Sequence, residues 1–262
     1  MTPRPPLQPG PSPLGCRLHD WNAGGRETVD PAGSFRGLIV DLDDTLYPLE
    51  EFVLSGLMAV ARLVQDRFGI AAMDAFATMQ SARRHGPARQ ELQTLCRHYG
   101  LAASLVPELL DLFRAHRPLL HLPRESAGVL TYARATGWRI VVLTNGPPQI
   151  QRNKVAALGM RTLVDGVVYA DEVTPGGKPD AAAFEAALRL LALPAHDCVC
   201  VGDDLVRDVA GARALGIATV WLADDTVAAT TNDAGADARI SAISELRDVL
   251  PQLWRLRKRD AA

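Results

Sequence analysis

Four short stretches of the chain gather groups able to do chemistry. Asp41-Leu42-Asp43-Asp44-Thr45 sets carboxylates two residues apart. Thr144-Asn145-Gly146 offers a hydroxyl and an amide, and Gly176-Gly177-Lys178-Pro179-Asp180 offers an ammonium just before a helical stretch. Gly202-Asp203-Asp204 and, four residues on, Asp208 add more carboxylates. So many carboxylates around one lysine repel one another unless a cation neutralises them, and an all-oxygen donor set selects a hard ion such as Mg²⁺. Taken singly, these residues have plainer readings. Asp44 reads as a turn residue, Asp204 as a helix N-cap, Thr144 as a strand-end cap and Lys178 as a surface lysine. Their joint placement makes a site.

Three of the four stretches follow directly on apolar runs. Gly37-Leu38-Ile39-Val40 is short, continuous and closed by carboxylates, which suits a strand buried on both faces. Comparable runs occur at 139–143, 166–169, 198–201 and 217–221. Helical patterns at 149–158, 181–191 and 205–215 separate them. Strands alternating with helices predict an α/β fold, a doubly wound (Rossmann-like) parallel sheet. Right-handed crossovers then bring the carboxyl ends of the strands, and the four stretches, to one edge of the sheet.

The alternation breaks between Leu46 and Leu122. Phe52, Leu57, Ala61, Val64 and Phe68 mark one helix there, and Leu105, Leu109, Leu112 and Phe113 another, with no strand between. That is too much helix for an ordinary crossover. It predicts an inserted α-helical cap over 47–122, with the catalytic core made of 35–46 and 123–262. A helix over 126–135 leads back to the sheet, and an amphipathic helix through Leu246, Leu250 and Trp254 closes the chain. Residues 1–34, rich in Pro and Gly and without apolar periodicity, read as a mostly disordered tail whose Trp21 could dock on the domain.

The formal net charge is −2, which argues against a nucleic-acid polymer as partner. No apolar run nears the roughly 20 residues that span a bilayer, and no secretory h-region is present, so neither a membrane nor export is expected. Cys16, Cys96, Cys198 and Cys200 lack zinc or disulfide spacing. Cys198 and Cys200 alternate with valines and should share one buried strand face. Reduced thiols fit a cytoplasmic location.

The motifs DLDDT (41–45), LTNG (143–146), GKPD (177–180) and GDDLVRD (202–208), in this order, resemble those of the haloacid dehalogenase superfamily of phosphatases; the likeness runs from about Leu38 to Leu222. The stretch 143–160 is similar to that of nucleotidases and acylneuraminate 9-phosphatases of that superfamily. The resemblance implies a Mg²⁺-dependent phosphohydrolase acting on a small phosphorylated metabolite, a nucleoside monophosphate or sugar phosphate. By the same resemblance Asp41 is the nucleophile that becomes an aspartyl-phosphate, and Asp43 the general acid and base. Thr144, Asn145 and Lys178 are then phosphate-binding. Asp41, Asp43 (through its backbone carbonyl), Asp203 and Asp208 are the metal set, with Asp204 the alternative to Asp208. The segment before Lys178 is one residue longer than the family pattern, with two glycines placed to absorb it. Arg83, Arg84, His85 and Arg89 form a basic cluster in the cap, solvated or substrate-selecting. Three other readings stand beside this one: a 2-haloacid dehalogenase, which has no need of Asp43, a phosphomutase, and a binding module keeping the fold.

Overall fold

The apolar runs do become strands buried on both faces, as a helix-covered parallel sheet requires. The computed structural model describes residues 19–20, 36–87, 89–223 and 234–260. Its strands are β1 (His19–Asp20), β2 (Arg36–Val40), β3 (Trp138–Thr144), β4 (Gly166–Tyr169), β5 (Cys198–Gly202), β6 (Ala218–Leu222) and β7 (Ala238–Ile240). They lie in the order β1-β4-β3-β2-β5-β6-β7. All pairs from β4 to β7 are parallel, whereas β1 runs antiparallel to β4, with His19 opposite Val167. The period of two sorts side chains to opposite faces. Leu38, Val40, Val199 and Val201 enter one core, while Ile39, Cys198 and Cys200 enter the other. The two thiols share a face, as their alternation predicts.

Between β2 and α5 (Arg124–Ala135) the chain forms α1 (Leu49–Phe68), α2 (Ala72–His85), α3 (Glu91–His98) and α4 (Val106–Ala115). These carry a core of their own, in which Leu57, Val60 and Val64 meet Met79, Leu95 and Leu109. These four helices occupy the interval in which the sequence reading expected the inserted cap. The remaining helices are α6 (Pro148–Ala157), α7 (Ala170–Val173), α8 (Ala181–Leu191), α9 (Gly211–Ala214) and α10 (Leu246–Asp260). Among the described residues no helix is long and apolar enough to cross a membrane.

Three local expectations are corrected. The single helix expected over 205–215 is a π-helical turn, Leu205–Ala210, running into α9. The wider turn arises because both Asp208 and Val209 donate to the Asp204 carbonyl, at 2.9 and 3.3 Å. β7 was not foreseen, and β1 falls in the segment expected to lack strands; the rest of that segment, Trp21 included, lies outside the described residues. From β2 the chain turns first to β3 on one side and later to β5 on the other. The crevice where the winding reverses is where ligands of such sheets bind.

Candidate active site

Asp41 stands one residue past β2, its N–H donating to the Val201 carbonyl of β5 at 2.9 Å. The Lys178 ammonium lies between two carboxylates, 2.5 Å from Asp41 Oδ1 and 2.6 Å from Asp208 Oδ1. All three side chains are buried. Lys178 gets there because Gly176 and Gly177 both take left-handed φ, +87° and +61°, and so absorb the extra residue. Its reach is unimpaired.

Asn145 holds that loop in place. Its Nδ2 donates to the carbonyls of Gly176 and Lys178, and its Oδ1 accepts from the Lys178 N–H, at 3.0–3.1 and 2.9 Å. The Asn145 side-chain amide is thus spent on the lysine loop, which leaves its backbone N–H as the group for the phosphate contact the sequence reading expected. Gly146 N–H is spent too, on Asp171 Oδ2 at 2.9 Å. Thr144 sits buried at the end of β3.

Asp41, Asp203 and Asp208 each present an oxygen within 4.8 Å of the others'. Asp208 lies directly over the backbone of Gly202, where a Cβ has no room. Burial, and then the neighbouring Asp208, push the Asp41 carboxyl up despite Lys178. Burial and Asp41 push Asp203 up to about 6. Burial works against the Lys178 ammonium, yet Asp41 and Asp208 hold it charged. Three crowded carboxylates around one lysine leave an excess of negative charge, and every donor is oxygen. The set suits a hard divalent cation. The plainer readings hold for two residues. Asp204 caps the π turn, accepting from the Val206 and Arg207 N–H groups at 2.8 Å. Asp44 is a turn residue at φ +56° that accepts from Leu49 N–H.

These groups line a cleft of about 170 Å³, to which Asp43, Thr144 and Arg207 also contribute. Of the cap, Leu49 alone reaches it among the described residues. Arg83, Arg84, His85 and Arg89 are exposed and do not line it. Arg83 instead ties α2 to Glu50 at 2.5 Å and to Glu91 at 3.3 Å.

Three side chains escaped the sequence reading. Tyr47, Gln151 and Lys154 all bond the Asp43 carboxylate. The available signal was Gln151 and Lys154 at i, i+3, on one face of the helix that follows LTNG.

A doubly wound parallel sheet with a lysine-bridged carboxylate site at its switch point, and four helices inserted after β2, defines the class: a Rossmann-like α/β fold with an acidic site. The chain belongs to the haloacid dehalogenase-like hydrolases, whose family model matches residues 35–216. It is 29% identical to the phosphoserine phosphatase of Thermus thermophilus over 180 residues, which is 69% of this chain and 70% of that one. It is 32% identical to the human N-acylneuraminate-9-phosphatase over 116 residues, 44% of this chain and 46% of that one. Among solved structures, a 2-haloacid dehalogenase from Pseudomonas syringae pv. Tomato aligns with TM-score 0.58 at 24% identity, over 84% of this chain and 99% of that one. The last likeness speaks for the fold alone.

Proposed function

We propose that the chain is a Mg²⁺-dependent phosphomonoesterase working through an aspartyl-phosphate. The observation that carries this reading is the meeting of Asp41, Asp43 and the Asp203–Asp208 pair in one cleft. A carboxylate oxygen of Asp41 attacks phosphorus. The ester P–O bond breaks with its electron pair on the departing oxygen, which takes a proton from Asp43. A water then gives a proton to Asp43 and attacks the same phosphorus, releasing inorganic phosphate and freeing Asp41. Lys178 and the Thr144 hydroxyl offer positive charge and a donor for the phosphoryl oxygens. Asp41, Asp203, Asp208 and the Asp43 carbonyl would hold Mg²⁺, which when bound neutralises charge on the transferring group.

Asp43 separates this reading from a dehalogenase, because a halide leaves without a proton. The names of the two curated relatives above support phosphate esters as substrates. The cleft of about 170 Å³ suits the phosphoryl group, and the substrate proposed is a sugar phosphate or a nucleoside monophosphate whose remainder extends beyond it. The test is turnover of a panel of phosphorylated metabolites with Mg²⁺ and with excess chelator. Phosphate release that stops with chelator is expected. Full activity in chelator would sink the metal assignment, and chloride release from 2-chloropropionate without phosphatase activity would overturn the reading as a whole.

A further inference from the structure

Asp43 is gripped on both oxygens. Oδ1 accepts from the Tyr47 hydroxyl at 2.6 Å and from Lys154 Nζ at 2.8 Å. Oδ2 accepts from the same Nζ at 2.8 Å and from Gln151 Nε2 at 3.0 Å. Tyr47 is held protonated by burial and by Asp43 itself. Gln151 Nε2 also reaches Thr144 Oγ1 at 2.5 Å and the Asn145 carbonyl at 2.7 Å, which ties the grip to the end of β3.

Lys154 is the unusual member. Its side chain is only 5% exposed, and a buried ammonium is expensive unless it is paired. Here it has two partners on opposite elements: the Asp43 carboxylate, and the Phe52 ring of cap helix α1 with its centroid 4.5 Å from Nζ. It does not line the cleft, and its ammonium is turned to both oxygens of Asp43. What it touches is the group that must lie within hydrogen-bond reach of the leaving oxygen, where a small misplacement is costly.

We propose that Lys154 is a positioning residue: seated against Phe52 of the cap, it fixes the orientation of the Asp43 carboxylate towards the departing oxygen. The inference rests on the reading of Asp43 as general acid and base. Without Lys154, Asp43 keeps Tyr47 and Gln151 but loses the charge that spans both of its oxygens.

The test uses the full chain with Mg²⁺ and reads kcat/KM, which reports the first phosphoryl transfer, across esters of different leaving group. An alkyl phosphate needs a proton on its departing oxygen, whereas 2,4-dinitrophenyl phosphate needs little help. Lys154→Met should lose at least about tenfold more on the alkyl ester than on the dinitrophenyl ester, a part of the roughly 10²–10⁴ that general acid catalysis supplies. Lys154→Arg should recover most of that selective loss, and Phe52→Leu, which leaves the charge in place, should show the same pattern more weakly. Melting temperatures identify any variant that fails to fold; if Lys154→Met does, Phe52→Leu and Lys154→Arg decide. Equal losses on both esters, or none, would overturn the proposal, since a merely structural lysine lowers all substrates together. A wild-type protein that releases phosphate from neither ester nor from any metabolite of the panel is a different result. It would end the phosphatase reading itself, and this inference with it.

Discussion

A Cβ placed on Gly177 would lie 2.6 Å from Asn145 Oδ1, the oxygen that receives the Lys178 N–H. The two residues lock the lysine loop to the end of β3. Gly177→Ala meets this clash and also a φ of +61°, which costs an L-residue roughly 1–2 kcal/mol. We expect a lower melting temperature and a kcat loss approaching that of Lys178→Ala. Unchanged kinetics would show that the loop has slack.

Asp41→Asn should abolish turnover, because an amide does not attack phosphorus. Asp43→Asn should lose roughly 10²–10⁴-fold in rate while keeping most of its Mg²⁺ affinity, since the expected ligand there is the backbone carbonyl. Titration calorimetry with Mg²⁺ beside steady-state kinetics separates the two effects. Near wild-type rates for either variant would refute its assigned role.

His116 should make the fold sensitive to acid. Its Nδ1 donates to the Phe113 carbonyl at 2.6 Å, and its buried Nε2 has no hydrogen-bond partner among the described residues. Burial lowers its pKa. The unfolded chain therefore takes up a proton near pH 6.5 that the folded chain refuses, so this contribution to stability is complete above about pH 6.5 and is lost as pH falls below it. Asp203, raised to about 6, contributes the opposite slope, so the comparison must be made with a variant. The melting temperature of His116→Gln should fall less than that of wild type between pH 7 and pH 5. Parallel curves would remove His116 as the cause.

Arg83, Arg84 and Arg89 should not select the substrate. Alanine at each should leave the ratio of kcat/KM between the best metabolite and a small aryl phosphate unchanged. For Arg83, loss of its exposed ion pairs should cost at most about 1 kcal/mol of stability. Leu49→Ala, at the mouth of the cleft, should change that ratio. A shift with any of the arginines and none with Leu49 would reverse the assignment.

Much of this was legible from local signals. Each strand that carries the site is an apolar run stopped by a polar group, and the reading needed no long-range information. β7 was missed because Ala238-Arg239-Ile240 has one buried residue, too short for any period. Lys154 was missed because its meaning lies in a partner 111 residues away, and a lysine on a helix face otherwise looks solvated. Asn145 was placed at the right edge of the sheet, but which way its amide points depends on the path of the Gly176–Gly177 loop. The π turn after Asp204 was hidden for a similar reason: apolar spacing cannot distinguish it from an α-helix.

The burial of the thiols has a practical consequence. Cys96 lies inside the cap core, and Cys198 and Cys200 inside the sheet core, all three reduced and shielded from solvent. Burial raises the pKa of Cys96 and, more strongly, that of Cys200, so neither presents a thiolate to an alkylating reagent while its surroundings stay closed. Labelling becomes a clock for opening. Peptide-resolved alkylation rates at Cys96 and at Cys200 time the loosening of the cap and of the sheet separately, without any engineered probe.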